Sequence, residues 1–121
     1  MITEDYVSFE TAKLLKEKGM DKSCFNHYVQ KNNNDGTSEA VTVCTLQMAM
    51  KWLREVYNLF IEIQCYGYEA DEKAYFEYSY VISGYVKFNT GIYTTFDAKS
   101  RFPSYEEVCE EAIKYCLENL I

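Results

Sequence analysis

Few side chains in this sequence can do chemistry, and their spacing limits what each can do. Four carboxylates stand close together at Glu106, Glu107, Glu110 and Glu111. On a helix they form two i, i+4 pairs, Glu106/Glu110 and Glu107/Glu111, which repel by about 0.2–0.5 kcal/mol each. General acid–base work needs a carboxyl whose pKa is raised, usually by burial. On the polar side of an amphipathic helix these four are expected to be solvated. The functional alternative is an acidic patch that meets a basic surface on a partner protein. A second set is Cys24, Cys44, Cys65, Cys109 and Cys116, with His27 as the one histidine. Cys24-Phe-Asn-His27 has a CxxH spacing, but on a strand an offset of three turns the two side chains to opposite faces. A zinc site needs its ligands gathered, and a nucleophilic thiol needs a base in reach. Neither requirement is met. The sequence also contains no CxxC, HxxxH, GxSxG, GxGxxG or phosphate-cradling glycine loop. No catalytic residue, metal ligand or cofactor site is assigned.

The remaining candidates are tyrosines. Twelve Tyr, seven Phe and Trp52 occur in 121 residues. Phe76, Tyr78 and Tyr80 alternate along one strand face and are expected to form core under helices, with hydroxyls reaching polar partners at its edge. Tyr75, Tyr85 and Tyr93 are candidates for an exposed platform, because tyrosine is enriched at interface hot spots.

The elements that must position these groups can be read from capping and periodicity. Ser8–Lys18 reads as a helix with Ser8 as N-cap, Val7 as a staple and Gly19 at C′. Cys24–Gln30 and Ser38–Cys44 read as a hairpin around Asp35-Gly36, with Val41 and Val43 pointing inward. Thr45 caps a helix to Tyr57, where Leu46, Ala49, Met50, Leu53, Val56 and Tyr57 recur at spacings of three and four. Leu59–Tyr66 alternates as a half-buried strand, Gly67–Lys73 reads as a turn, and Ala74–Ile82 as the next strand. Ser83–Phe96 holds further strand, broken at Ser83-Gly84 or at Asn89-Thr90-Gly91. Asp97–Pro103 is a loop. Ser104-Tyr105-Glu106-Glu107 is a capping box opening the last helix, whose stripe runs through Val108, Cys109, Ala112, Ile113, Cys116, Leu117 and Leu120. The expected fold is a single α+β domain over residues 1–121, an antiparallel sheet packed by helices in the order α-ββ-α-β-ββ-α.

Composition bounds the function. The net charge is −7, unsuited to a protein that binds nucleic acid by neutralising phosphates. The acidity lies in the second half: residues 1–60 hold 8 acidic and 7 basic residues, residues 61–121 hold 11 and 5. Ten of the twelve tyrosines also lie from Tyr57 onward. No apolar run approaches the ~20 residues of a membrane span, and Met1–Tyr6 lacks a signal-peptide pattern. Cys109 and Cys116 are seven residues apart on one helix, roughly 10.5 Å along its axis, too far for a disulfide. Reduced, packed thiols and a cytoplasmic location are expected.

Three stretches, SFETAKLLKEKG (Ser8–Gly19), QMAMKWLREV (Gln47–Val56) and SYEEVCEEAIKYCLENLI (Ser104–Ile121), occur together in this order. The combination resembles small uncharacterised proteins of gut Bacteroidales and their phages or prophages. That resemblance implies a cytoplasmic protein of a mobile element or its host, and it brings no activity with it. The expected function is therefore non-enzymatic protein–protein binding, with a homodimer as one form. The alternatives are an acidic decoy of a nucleic-acid-handling host protein and a small ligand-binding module or enzyme with a tyrosine-lined pocket near Tyr75, Tyr78 or Tyr85.

Overall fold

Each helix starts where a short hydroxyl side chain takes up a backbone N–H that the helix itself leaves unpaired. In the computed structural model, which describes residues 4–85, 93–98 and 100–121, α1 spans Phe9–Glu17 with Ser8 accepting from the Thr11 N–H. Its chain leaves through Gly19 at φ 99°, the left-handed exit that glycine adopts without strain. Helix α2 spans Leu46–Tyr57, opened by Thr45 accepting from the Met48 N–H and closed by Asn58 at φ 55°. Helix α3 spans Tyr105–Tyr115, with Ser104 accepting from the Glu107 N–H at 3.1 Å. It continues as a π-helical turn, Cys116–Leu120.

The strands are β1 (His27–Asn32), β2 (Ser38–Val43), β3 (Leu59–Ala70), β4 (Lys73–Tyr85) and β5 (Tyr93–Asp97). Among the described residues they form two antiparallel sheets, β1-β2 and β3-β4-β5. The element order and the α+β class are those expected from the sequence. The first hairpin turns where Asp35-Gly36 predicts, with Gly36 at φ 86° and Asp35 accepting from the Thr37 N–H at 2.9 Å. Val43 is buried and Val41 half-buried, as expected.

Three boundaries differ. Residues 24–26 are not strand: Asp21 accepts from the Ser23 N–H at 2.8 Å and winds Lys22–Cys24 into a 3-10 turn. Residues 67–70 are not turn either. Strand β3 runs straight through Gly67 to Ala70, and the reversal needs only Asp71 and Glu72, at φ 52° and 63°. Two successive left-handed residues make the tight turn whose twist matches the strands. Gly67 is there for another reason: a Cβ would sit 3.2 Å from the Phe76 ring. Nor does the chain break at Ser83-Gly84. Gly84 stays in β4 opposite Leu59, where a Cβ would collide with the Asn58 carbonyl oxygen. The β4–β5 connection falls after Tyr85, and Asn89-Thr90-Gly91 lies outside the described residues.

The core lies between the helices and the inner face of the larger sheet. It gathers Leu15 of α1, Leu53 of α2, Val108, Ile113 and Leu117 of α3 and its extension, and Leu59, Tyr80 and Ile82 of the sheet. Each large aliphatic side chain buried there contributes about 1.5–3 kcal/mol of transfer free energy. Cys44, Cys109 and Cys116 fill the same interior as free thiols. Burial pushes Cys44 and Cys116 up to about 12 and Cys109 to about 11, from an ordinary 9.0. Folded thiols therefore hold their protons over a range in which unfolded ones lose them. The stability these thiols contribute should be full below pH 9 and should fall as pH rises through 9 toward 12, as denaturant melts at stepped alkaline pH will show. Only exposed Cys65 should react fast with a thiol reagent under native conditions. Cys44, Cys109 and Cys116 should react once the chain unfolds.

Candidate functional site

The four glutamates of α3 do not form one patch. Glu110 turns inward, against expectation. Its Oε1 accepts from the Thr11 hydroxyl at 2.7 Å and from the Ser8 N–H at 3.0 Å. Thr11 is fully buried, so the carboxylate pins α3 to the N-terminal turn of α1. That end of a helix carries partial positive charge and unpaired N–H groups. Oε2 of Glu110 is buried with no partner. A helical-wheel argument puts this residue on a polar face, and only the arrival of α1 makes that face an interface. Glu106 is exposed beside Asp5, whose carboxyl is raised by desolvation first and by the neighbouring Glu106 second. Glu107 is exposed at the cap, and Glu111 is half-buried with Lys114 at 4.0 Å.

Cys24 and His27 do not share a strand, contrary to expectation. Cys24 ends the 3-10 turn, half-buried, while exposed His27 begins β1 and stacks on Tyr6 with ring centroids 3.7 Å apart. Among the described residues no group of three His, Cys, Asp or Glu side chains is placed to hold a metal ion. No helix among them is long and apolar enough to cross a membrane.

Among the described residues, most exposed aromatic side chains sit on the β3–β4 ribbon. Directly paired residues share a face, so Phe60, Glu62, Gln64, Tyr66 and Tyr68 of β3 stand beside Ser83, Val81, Ser79, Glu77 and Tyr75 of β4. Thr95 and Asp97 of β5 extend the same face, since they pair with Ser83 and Val81. This is the outer face. Phe60, Tyr66, Tyr68 and Tyr75 are exposed on it. The Tyr68 and Tyr75 rings stack at 5.4 Å and 16°. Beside them the Arg101 guanidinium lies 4.2 Å from the centre of the Tyr66 ring, with its Nη1 3.4 Å from Glu77 Oε2. Ring face and carboxylate together form a seat for a planar cation.

Tyr75 is therefore exposed as expected, while the side chains of Tyr85 and Tyr93 lie outside the described residues. Tyr66, Tyr68, Glu77 and Arg101 are additions. The signal for the first two was the alternation Gln64, Tyr66, Tyr68, which Gly67 obscured. Phe76 is a correction: it shares the inner face with Tyr78 and Tyr80, yet is 56% exposed. The ribbon overhangs the helices at that point. Tyr78 and Tyr80 do meet the core, with Tyr78 half-buried and Tyr80 buried. Tyr80 also lines an open cleft of about 340 Å³ with Asp97, Phe102 and Tyr115.

No protein-family model, curated protein or solved structure matches this chain. Its functional reading rests on its own geometry.

Glu110→Ala should cost about 2 kcal/mol in denaturant unfolding, because the buried Thr11 O–H and the Ser8 N–H both lose their acceptor, although Thr11 Oγ1 still accepts from the Ser8 hydroxyl. Glu110→Gln, which keeps one acceptor, should cost less. Glu106→Gln and Glu107→Gln should stay within about 0.5 kcal/mol of the parent.

Proposed function

We propose that this chain is a non-enzymatic protein-binding module whose outer sheet face takes an arginine- or lysine-bearing segment of a partner protein. One observation carries the reading: the face already seats a guanidinium, that of Arg101, between the Tyr66 ring and the Glu77 carboxylate. A partner's cation would find the same chemistry along the face, on Phe60 with Glu62 and Asp97 near it, and on Tyr68 and Tyr75 with Glu77 near them. Among the described residues the cations on this face are Arg101, which a partner's cation would displace from Tyr66 and Glu77, and Lys73, which pairs with Ala70 at the ribbon's tip beyond the tyrosines. Exposed tyrosines give contact area at low entropic cost, and the carboxylates select for sign and speed encounter.

The decoy reading, built on Glu106, Glu107, Glu110 and Glu111, loses support because Glu110 is spent on α1. The outer sheet face serves the same class of basic partner better. Free thiols in the interior support a reducing, cytoplasmic setting. Within the resemblance to phage and host proteins of gut Bacteroidales, a host or phage protein with a basic surface is the natural partner.

An immobilised arginine-rich peptide should retain the protein at low salt, with a glutamate-rich peptide as control. Retention should weaken steeply as salt rises. The double variant Tyr68→Ala/Tyr75→Ala should weaken it at least tenfold while costing no more than the ~1 kcal/mol of the stacked cross-strand pair in stability. Equal retention on both peptides, or a double variant that binds like the parent, would refute the reading.

A further inference from the structure

Strand β3 has β4 on one side and no strand on the other among the described residues. The two-residue turn makes Ala70 and Lys73 a doubly hydrogen-bonded pair, so pairs counted back from it alternate between bonded and non-bonded. Ile61, Ile63, Cys65, Gly67 and Glu69 then direct their N–H and C=O groups to the open edge. The far side of β4 agrees. Tyr78, opposite Cys65, exchanges both backbone bonds with Phe102 at 2.8 and 2.7 Å, and Tyr80, opposite Ile63, accepts from the Ala98 N–H at 3.0 Å. Proteins guard such edges with lysine, proline or bulges. β3 has no lysine or proline, and its twelve pairs with β4 run without a slip.

We infer that β3 is a homodimer edge, pairing antiparallel with β3 of a second copy about a twofold axis at Cys65, so that two three-stranded sheets become one of six. This goes beyond the binding of a basic segment, which uses side chains of the outer face rather than the backbone edge. A second copy fits for three reasons. First, the edge is self-complementary. With the axis at Cys65, Ile63 faces Gly67, Ile61 faces Glu69, Glu62 faces Tyr68 and Gln64 faces Tyr66, so no glutamate meets a glutamate. The register centred on Gln64 would instead set Glu69 against buried Leu59. Second, the two halves of β3 differ in the way an antiparallel pair needs. The near half is backed by α2 and the core, while residues from Cys65 to Ala70 are exposed. The pairing lays each unbacked half beside the partner's backed half and brings exposed Phe76 toward the partner's α2, where Val56 and Met48 are exposed. Third, charges match in balance. The acidic tip (Glu69, Asp71, Glu72) reaches the end of the partner's α2 that carries Lys51 and Arg54, both exposed, two cations against the single carboxylate of exposed Glu55.

Light scattering on the full chain should give twice the monomer mass, and Cys65→Lys should halve it while leaving the circular dichroism and melting curve of a folded protein. Diamide should link the dimer. Two Cys65 thiols give up two protons and two electrons to form one disulfide, and diamide takes them up to become the hydrazine. Directly opposed residues in a bonded antiparallel pair lie about 5.5 Å apart at Cα, within disulfide range, while their Cβ atoms stand at the wide end of about 4.5–5.5 Å, so the link requires a small local shift of the pair. Cys65→Ser should keep the dimer mass and lose the cross-link. A parent chain that is monomeric at its highest soluble concentration overturns the pairing. A dimer untouched by Cys65→Lys overturns the axis. Tyr75→Ala, on β4 and off the paired edge, should leave the mass unchanged while weakening peptide retention, which separates this result from failure of the basic-segment reading.

Discussion

The β3–β4 ribbon is the constraint on which the rest of the molecule depends. Its twelve successive pairs are set from one end by the left-handed pair Asp71-Glu72. Because side chains alternate, that one register decides which residues of both strands face the helices and which face water. A slip by one residue would turn one strand over against the other, sending either Ile61 and Ile63 outward with Glu62 drawn in, or Tyr80 and Ile82 outward with Glu77 drawn in. The helices then cover what the register offers, and they are too short to cover all of it. Buried Leu59 and Ile82 mark the covered end of the ribbon, and exposed Phe76 with Gly67 opposite it marks the overhang.

That mismatch of lengths leaves aromatic side chains in water at the place where they can serve a partner. Among the described residues the larger sheet has a helix layer on its inner side only, which leaves the outer face free to carry tyrosines and carboxylates together. Arg101 shows what such a surface holds: a flat cation over a ring, closed by a carboxylate. On the other side of the sheet, a single carboxylate ties the helix layer. Glu110 satisfies the Ser8 N–H and the buried Thr11 hydroxyl in one stroke and so fixes α3 against α1.

Local signals in the sequence were reliable where the physics is local. Ser8, Thr45 and Ser104 cap the helices they mark, Asn58 and Gly19 end them, and Asp35-Gly36 turns the first hairpin. Each of these depends on backbone groups within a few residues. The glycines misled where their reason was distant. Gly67 accommodates a ring from the neighbouring strand and Gly84 a carbonyl from the end of α2, and in sequence both read as punctuation.

Alone, then, the sequence determined the element order, the caps, the apolar stripes of the helices and the alternation that puts Tyr75 opposite in sense to Phe76, Tyr78 and Tyr80. Those follow from periodicity and from hydrogen bonds within one turn. Only the tertiary structure decided that Glu110 leaves the acidic face, that Phe76 outruns the core, and that Tyr66, Tyr68 and Glu77 join Arg101 and Tyr75 on one surface. Each of those depends on where a second element ends or arrives. A single chain pattern fixes the direction of a side chain, but what meets it there is set by packing.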